Sequence, residues 1–176
     1  PLKLELFQKA YIQALFGFVH RDTKLRKYKE SLLLMARKNG KSTLLAGIAL
    51  YMLIGDKEAG AEVYSVATKK DQARLIFDEV CNMVKQSPEL RRFIKKRKSD
   101  LYSALTMSKF MPLGKNSDTL DGLNSHLVII DELHAVKDRN LYDVMKQSQS
   151  ARRQPLLITI TTAGTVRANI YDDLYD

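Results

Sequence analysis

The sequence predicts an α/β fold with a central, mainly parallel β-sheet flanked by helices. Short apolar runs lack polar alternation, which is typical of strands buried on both faces of a sheet. Stretches with apolar residues at helical spacing alternate with these runs, as in a layered α/β domain. Polar residues directly follow three of the runs. In open α/β sheets the ligand crevice lies at the carboxyl ends of the strands, so we expect these polar residues to converge.

The individual elements follow from the local pattern. Residues 4–16 predict an amphipathic helix, and the polar, basic residues 20–30 predict a loop. Strands are predicted at 31–36, 61–67, 127–130 and 156–160. Helices are predicted after the turn at 37–40, over 69–86 and around 141–148. Residues 88–120 combine a basic run with β-type stretches and indicate a hairpin or an insertion.

Composition limits the possible classes of protein. The 176 residues suit one domain, and 45% apolar residues with only 4 prolines and 8 glycines exclude a collagen-like or low-complexity chain. A single cysteine, Cys81, excludes an intramolecular disulfide. The longest apolar run, residues 44–54, is too short to span a bilayer. The formal net charge of +9 favours a polyanionic partner.

A phosphate-binding loop is predicted at residues 35–42, which read MARKNGKS. Gly40, Lys41 and Ser42 match the end of the usual phosphate-loop pattern, while Met35 occupies the position of its first glycine. The loop follows an apolar strand and precedes a helix, where backbone N–H groups and the helix dipole favour an anion. We expect Lys41 to reach the β and γ phosphates and Ser42 to bind Mg²⁺. The alternative is a chance Gly-Lys-Ser sequence at a helix start.

Two acids, Asp131 and Glu132, directly follow the apolar run at 127–130. A carboxylate at a buried strand end can hold Mg²⁺, and a neighbouring glutamate can orient and deprotonate the attacking water. Successive strand residues point to opposite faces, so the two acids can have different roles. The alternative is a pair of solvated acids. We interpret His134, which completes the sequence DELH, as structural.

Together these residues resemble the ATPase domain of the large terminase subunit of tailed bacteriophages. The matching stretches are RKNGKS at 37–42, ATKKDQAR at 67–74, LDGLNSHLVIIDELHA at 120–135 and ITTAG at 160–164. The opening LFQKAYIQALFGF is similar to the family's adenine-reading segment, and the missing first glycine is itself similar to the family pattern. The resemblance implies a P-loop NTPase fold of the additional-strand, catalytic-glutamate type.

The resemblance also implies a function. Family members hydrolyse ATP with Mg²⁺ and push double-stranded DNA through a portal protein into a procapsid. The implied partners are double-stranded DNA, the portal protein, the small terminase subunit and further copies in a ring. The implied location is the host cell cytoplasm, and the resemblance implies no membrane partner. We expect residues 1–176 to form a single ATPase domain that lacks the family's C-terminal nuclease domain and its activity.

By motif match, the resemblance assigns roles to individual residues. The catalytic group is Glu132, Lys41 and Arg37, and the magnesium ligands are Ser42 and Asp131. The nucleotide-binding group is Gln8, Arg37, Lys38, Asn39, Gly40, Lys41, Ser42 and Thr43. Thr161 and Thr162 form the coupling motif. Gln8 is the adenine reader, since a glutamine amide can pair with the N6 and N7 edge of adenine. The alternatives are a solvent-facing Gln8 and a surface Arg37.

The densest basic run predicts a DNA-binding surface. It consists of Arg91, Arg92, Lys95, Lys96, Arg97 and Lys98, and a second basic cluster consists of Arg21, Lys24, Arg26, Lys27 and Lys29. Lysine and arginine bind phosphates without regard to base sequence, which suits a translocating motor. The alternative for each cluster is a solvated face. Arg139, Arg152 and Arg153 are candidates for an arginine that acts on a neighbouring subunit, and the last two are also candidates for a helix cap.

Three other functions are compatible with parts of the sequence. A helicase-like nucleic-acid-dependent ATPase fits DELH and the glutamine before the loop, but 176 residues cannot hold two RecA-like domains. A non-enzymatic DNA-binding module does not explain Glu132 beside Asp131. A small-molecule kinase lacks an evident lid and leaves the basic surface without a purpose.

Overall fold

The computed structural model describes residues 3–36, 38–114, 120, 122–131 and 140–161. These residues form a seven-stranded sheet with helices on both faces. The helices are α1 (Leu6–Gly17), α2 (Lys41–Leu50), α3 (Lys70–Gln86), α4 (Pro88–Phe93) and α5 (Asn140–Gln147), and a π-helical turn, Tyr51–Gly55, extends α2. The strands are β1 (Glu30–Leu34), β2 (Glu62–Ala67), β3 (Ile94–Lys96), β4 (Leu101–Ser103), β5 (Ser108–Gly114), β6 (Ser125–Asp131) and β7 (Leu156–Thr161).

The strand order is β1-β7-β6-β2-β5-β4-β3. The first five strands are parallel, and β4 and β3 continue the sheet in antiparallel pairing. β7 lies between β1, which leads into the predicted phosphate loop, and β6, which ends in Asp131. The prediction of a P-loop NTPase fold with an additional strand is therefore confirmed.

The sheet is buried on both faces, which explains why its strands lack polar alternation. Leu127 and Ile129 of β6 pack with the apolar residues of α2 and α3. Val128 and Ile130 pack on the opposite face with α5. Because strand side chains alternate between faces, Asp131 follows the direction of Ile129 and points toward the side of α2.

Most predicted elements have close counterparts, but some boundaries were wrong. The strand predicted at 31–36 ends at Leu34, because the chain turns away from the sheet into the loop. The hairpin in 88–120 is confirmed as β3 and β4, and β5 follows it and pairs in parallel with β2. Among the residues that the structure describes, no helix combines the length and apolar character needed to cross a membrane.

A buried ionic cluster holds the loop at 20–30 against the amino ends of the strands. Arg26, predicted as part of an exposed basic cluster, is only 4% exposed, so that prediction was wrong. Its guanidinium donates to both carboxylate oxygens of Asp56 at 2.8 and 2.9 Å and to the carbonyl of Gln154 at 2.6 Å. Nε2 of His126, at the start of β6, lies 2.7 Å from Oδ2 of Asp56. Burial favours a raised pKa for Asp56, but the hydrogen bonds with His126 and Arg26 outweigh it and lower that pKa.

We expect Asp56→Asn to lower the free energy of unfolding by about 3 kcal/mol or more, because Arg26 would be buried without its counter-ion. Urea denaturation at pH 7 measures this loss. Lys146→Gln is the matched control, since its ion pair with Glu30 is about half exposed and should contribute less than about 1 kcal/mol. Equal losses in the two variants would contradict the structural role of the cluster.

The same substitution gives a pH dependence. The folded-state pKa of Asp56 lies below its ordinary value of 3.8. Its stabilising contribution is therefore present above that value and is lost as the pH falls through the lower, folded-state pKa. The difference in stability between the wild type and Asp56→Asn should shrink only below about pH 4.

Candidate nucleotide-binding site

The carboxyl ends of three parallel strands lie side by side at the predicted loop. Leu34 of β1 pairs with Thr161 of β7, and Ile160 of β7 pairs with Asp131 of β6. The backbone N–H of Met35 donates to the carbonyl of Thr161 at 3.2 Å. The chain that enters the loop therefore leaves the sheet next to β7 and one strand away from Asp131.

An ion pair joins the loop to the acidic strand end. Nζ of Lys41 lies 2.5 Å from Oδ1 of Asp131. The Asp131 side chain is 2% exposed and that of Lys41 is 20% exposed. β6 lies two strand spacings from β1, about 10 Å, so only a long side chain can reach across β7. The structure thus brings together two predicted site residues that are 90 positions apart in the chain.

The backbone of the loop has the conformation of an anion-binding turn. Lys38 and Gly40 have φ angles of +65° and +74°, and Gly40 is the residue before the first turn of α2. Among the described residues, no side chain caps the N–H groups at this end of α2. Unpaired N–H groups and the positive end of the helix dipole favour an anion such as a phosphate.

The two hydroxyls that follow Lys41 have different surroundings. The Thr43 hydroxyl donates to Oε1 of Glu79 on α3 at 3.1 Å. Within the described residues the Ser42 hydroxyl makes no side-chain hydrogen bond. Thr43 therefore ties the first turn of α2 to α3, and Ser42 has a hydroxyl available for a ligand.

Gln8 lies beside the loop and is not solvent-facing, since it is only 7% exposed. Its Oε1 accepts from the backbone N–H of Glu5 at 3.0 Å, which completes a capping box at the start of α1. A side chain at position 40 would come within 3.2 Å of Nε2 of Gln8, so this contact and the positive φ both favour glycine there. Gln8, Phe7 and the loop line one pocket of about 380 Å³.

Contacts of α1 with β1 set the position of Gln8. The Tyr11 hydroxyl lies 2.9 Å from Oγ of Ser31, which is on the strand that leads into the loop. Burial raises the pKa of Tyr11 to about 12 despite the hydrogen bond to Ser31. Leu15, one turn later, is 3% exposed in the core. The helix that carries Gln8 is thus fixed to the strand that carries the loop.

Three predicted site residues, Arg37, Glu132 and Thr162, lie outside the described residues. Thr161 is fully buried at the end of β7. Lys38 and Asn39 are exposed on the loop.

The three candidates for an arginine that acts on a neighbouring subunit differ in their surroundings. Arg152 pairs with Glu58 at 2.8 Å and donates to the carbonyls of Gly60 and Asn124, at the amino ends of the strands. This arrangement favours a structural role for Arg152. Arg153 is exposed in the same region, and Arg139 lies outside the described residues.

The sequence did not identify two polar residues of α3 that contact the site. Nε2 of Gln72 lies 3.4 Å from Oδ2 of Asp131, and Glu79 binds Thr43. Their spacing was the sequence signal that could have identified them together, because residues seven apart lie two turns along the same side of a helix. The match at 67–74 includes Gln72, but a motif gives no contact partner.

Comparisons with known proteins agree with this geometry. The family model described as "Terminase large subunit, ATPase domain" matches residues 6–176. The large terminase subunit of Enterobacteria phage HK97 is 30% identical over 175 residues, which cover 97% of this chain and 34% of that protein. The chain therefore spans about a third of the length of this relative.

Two solved structures extend the comparison. The crystal structure of the HK97 bacteriophage large terminase superposes with a TM-score of 0.84 and 29% identity, over 98% of this chain and 36% of that one. The large terminase ATPase domain of a Thermus phage has a TM-score of 0.69 at 21% identity, over 93% and 67% of the two chains. At that identity the second likeness concerns the fold alone.

We expect Thr43→Val to lower the free energy of unfolding by about 1.5 kcal/mol, because a hydrogen bond to a carboxylate is lost. Thr43→Ser keeps the donor and should be close to the wild type. A double-mutant cycle of Thr43→Val with Glu79→Ala, measured by urea denaturation, isolates the pair. Strictly additive losses would show that Thr43 and Glu79 do not interact.

Proposed function

The chain belongs to the family of terminase large subunit ATPase domains, and on that premise we propose that it hydrolyses ATP to move double-stranded DNA through a portal into a procapsid. The observation that supports the proposal most directly is the Lys41–Asp131 ion pair beside a loop with anion-binding backbone geometry. A lysine next to a buried carboxylate and a helix N-terminus is the arrangement that binding of a nucleoside triphosphate requires.

Lys41 and the loop bind the phosphates. The ammonium of Lys41 exchanges part of its contact with Asp131 for oxygens of the β and γ phosphates. The backbone of Lys38, Asn39 and Gly40 and the first turn of α2 surround the phosphate chain with N–H groups. Arg37 adds positive charge near the γ phosphate.

Ser42 and Asp131 are suited to Mg²⁺, because both offer hard oxygen ligands. Within the described residues no three His, Cys, Asp or Glu side chains form a metal-binding cluster. Mg²⁺ usually takes one or two carboxylates and completes its shell with phosphates and water, so the Asp131 carboxylate and the Ser42 hydroxyl would suffice on the protein side. When bound, the ion neutralises charge on the phosphates during transfer.

Glu132 is the general base in this proposal. It follows Asp131 at the carboxyl end of β6, and it orients and deprotonates the water that attacks the γ phosphate. Thr161 and Thr162 form the coupling motif. β7 supports that role because it pairs with both β1 and β6, so its end adjoins the loop and the acidic strand end.

Gln8 reads the adenine base. Its amide donor lies beside the phosphate loop, and the pocket that it shares with Phe7 is lined by both α1 and the loop. An amide offers one donor and one acceptor, which match the N7 and N6 positions of adenine. Phe7, 48% exposed, provides an apolar ring at the same pocket.

The proposed partners are double-stranded DNA, the portal protein, the small terminase subunit and further copies of the chain in a ring. The proposed location is the host cell cytoplasm. The net charge of +9 supports a polyanionic substrate. The family match favours packaging over a helicase-like ATPase.

We expect Glu132→Gln to slow ATP hydrolysis by about 10²–10⁴-fold while ATP affinity stays near the wild-type value, because only proton transfer is lost. Lys41→Ala should abolish tight ATP binding as well as turnover. Steady-state hydrolysis and equilibrium binding of a fluorescent ATP analogue separate the two effects. A Glu132→Gln variant with weaker binding and unchanged turnover would refute the general-base role.

We expect Gln8→Glu to raise the KM for ATP by about tenfold, the value of one good hydrogen bond, with little change in kcat. The glutamate keeps the acceptor that caps α1 but loses the amide donor. Gln13→Glu is the control, because Gln13 is an exposed glutamine on the same helix. The KM for GTP should change by the same amount in Gln8→Glu and in Gln13→Glu. If ATP and GTP lose the same amount in Gln8→Glu, Gln8 does not read the base.

A further inference from the structure

A second concave site lies away from the nucleotide loop, between α3, α4 and the β3–β4 hairpin. It is a pocket of about 640 Å³. Its floor is apolar and consists of Val84, Ile94 and Leu101, which are at most 6% exposed. Four cationic residues form its rim: Lys85 of α3, Arg91 of α4, and Lys95 and Lys96 of β3. We call this site the basic pocket.

The four rim cations differ from other cations of the surface in their ion pairing. Within the described residues none of them forms an ion pair. By contrast, Lys109 pairs with Glu62 at 2.9 Å and Lys146 pairs with Glu30 at 2.9 Å. Acids do lie nearby, since Glu89 on α4 interacts electrostatically with Arg91 and Asp78 on α3 lies near Cys81.

The basic run predicted from the sequence is divided by the structure. Arg97 forms a two-point ion pair with Asp100 and lies over the ring of Tyr102 at 4.3 Å, within the hairpin. Lys98 is exposed in the same turn and does not line the pocket. Arg91, Lys95 and Lys96 of the same run line the pocket, and Lys85 of α3, which lies outside the run, joins them.

We propose that the basic pocket binds the phosphate backbone of double-stranded DNA through Lys85, Arg91, Lys95 and Lys96. This inference rests on the proposed function, whose substrate is a duplex, and it adds the residues that contact it. The proposal is supported by charge complementarity, because four cationic residues on three elements line one concavity and, in the part of the chain that the structure describes, none of them is in an ion pair. The apolar floor allows the alkyl stems of lysine and arginine to lie on the protein while their charged ends reach phosphates.

Cys81 provides a direct test, because it lines the basic pocket and is the chain's only cysteine. Burial raises the pKa of its thiol, so alkylation is best followed at pH 8.5 or above. A 20-base-pair duplex should slow alkylation by iodoacetamide at least fivefold, as read by mass spectrometry. ATP at the same phosphate concentration should not slow it, which distinguishes a duplex from free phosphates.

Affinity measurements with matched variants complete the test. The double variant Lys85→Ala/Arg91→Ala should bind the duplex more weakly. Its plot of log affinity against log salt should be less steep, with the magnitude of the negative slope reduced by about 2. The control is Lys57→Ala/Arg153→Ala, which removes one lysine and one arginine from exposed positions outside the pocket. Equal losses in the two variants would mean that only net charge matters and would overturn the proposal.

The remaining outcomes separate the pocket from the proposed function. If the duplex binds but leaves Cys81 fully reactive, the pocket assignment is wrong while the motor proposal stands. Protection of Cys81 by polyglutamate and not by DNA would make the occupant an acidic protein and overturn the proposal. Protection by DNA in a chain that does not hydrolyse ATP supports the pocket and contradicts the ATPase role. Absence of any duplex binding overturns the pocket and DNA translocation together.

Discussion

The candidate site depends on one ion pair, between Lys41 and Asp131, which spans the end of a strand that neither residue belongs to. β7 separates β1 from β6, so the loop and the acidic strand end cannot meet through backbone pairing. Asp131 is almost fully buried, and a buried carboxylate needs a cation or hydrogen bonds close by. The long side chain of Lys41 meets that need, and it thereby holds the start of α2 over the sheet.

α3 links this site to the basic pocket. Near its amino end Gln72 contacts Asp131, and two turns later Glu79 binds Thr43 of the loop's helix. Lys85, in its last turn, lies on the rim of the basic pocket. A helix of 17 residues is about 25 Å long, so a single rigid element takes part in both sites.

Charged residues elsewhere show why the basic surface could only be partly predicted. Arg26 and Arg152 belong to basic stretches of the sequence, yet the first is buried against Asp56 and the second pairs with Glu58. Arg97 is paired within its own hairpin. A charge in the sequence does not reveal its partner, because the acid that neutralises it is often far away along the chain. Lys85 joins Arg91, Lys95 and Lys96 only because α3, α4 and β3 pack together.

The sequence alone determined the fold class, most helices and strands, the loop at residues 35–42 and the acidic end of β6. These features are local: apolar spacing sets which segments are strands or helices, and Gly40 permits the left-handed backbone of the loop. The tertiary structure decided that β7 lies between β1 and β6, that Gln8 is buried beside the loop, and that Gln72 and Glu79 contact the site. Those contacts join residues that are far apart in the chain, and packing of the whole sheet selects them.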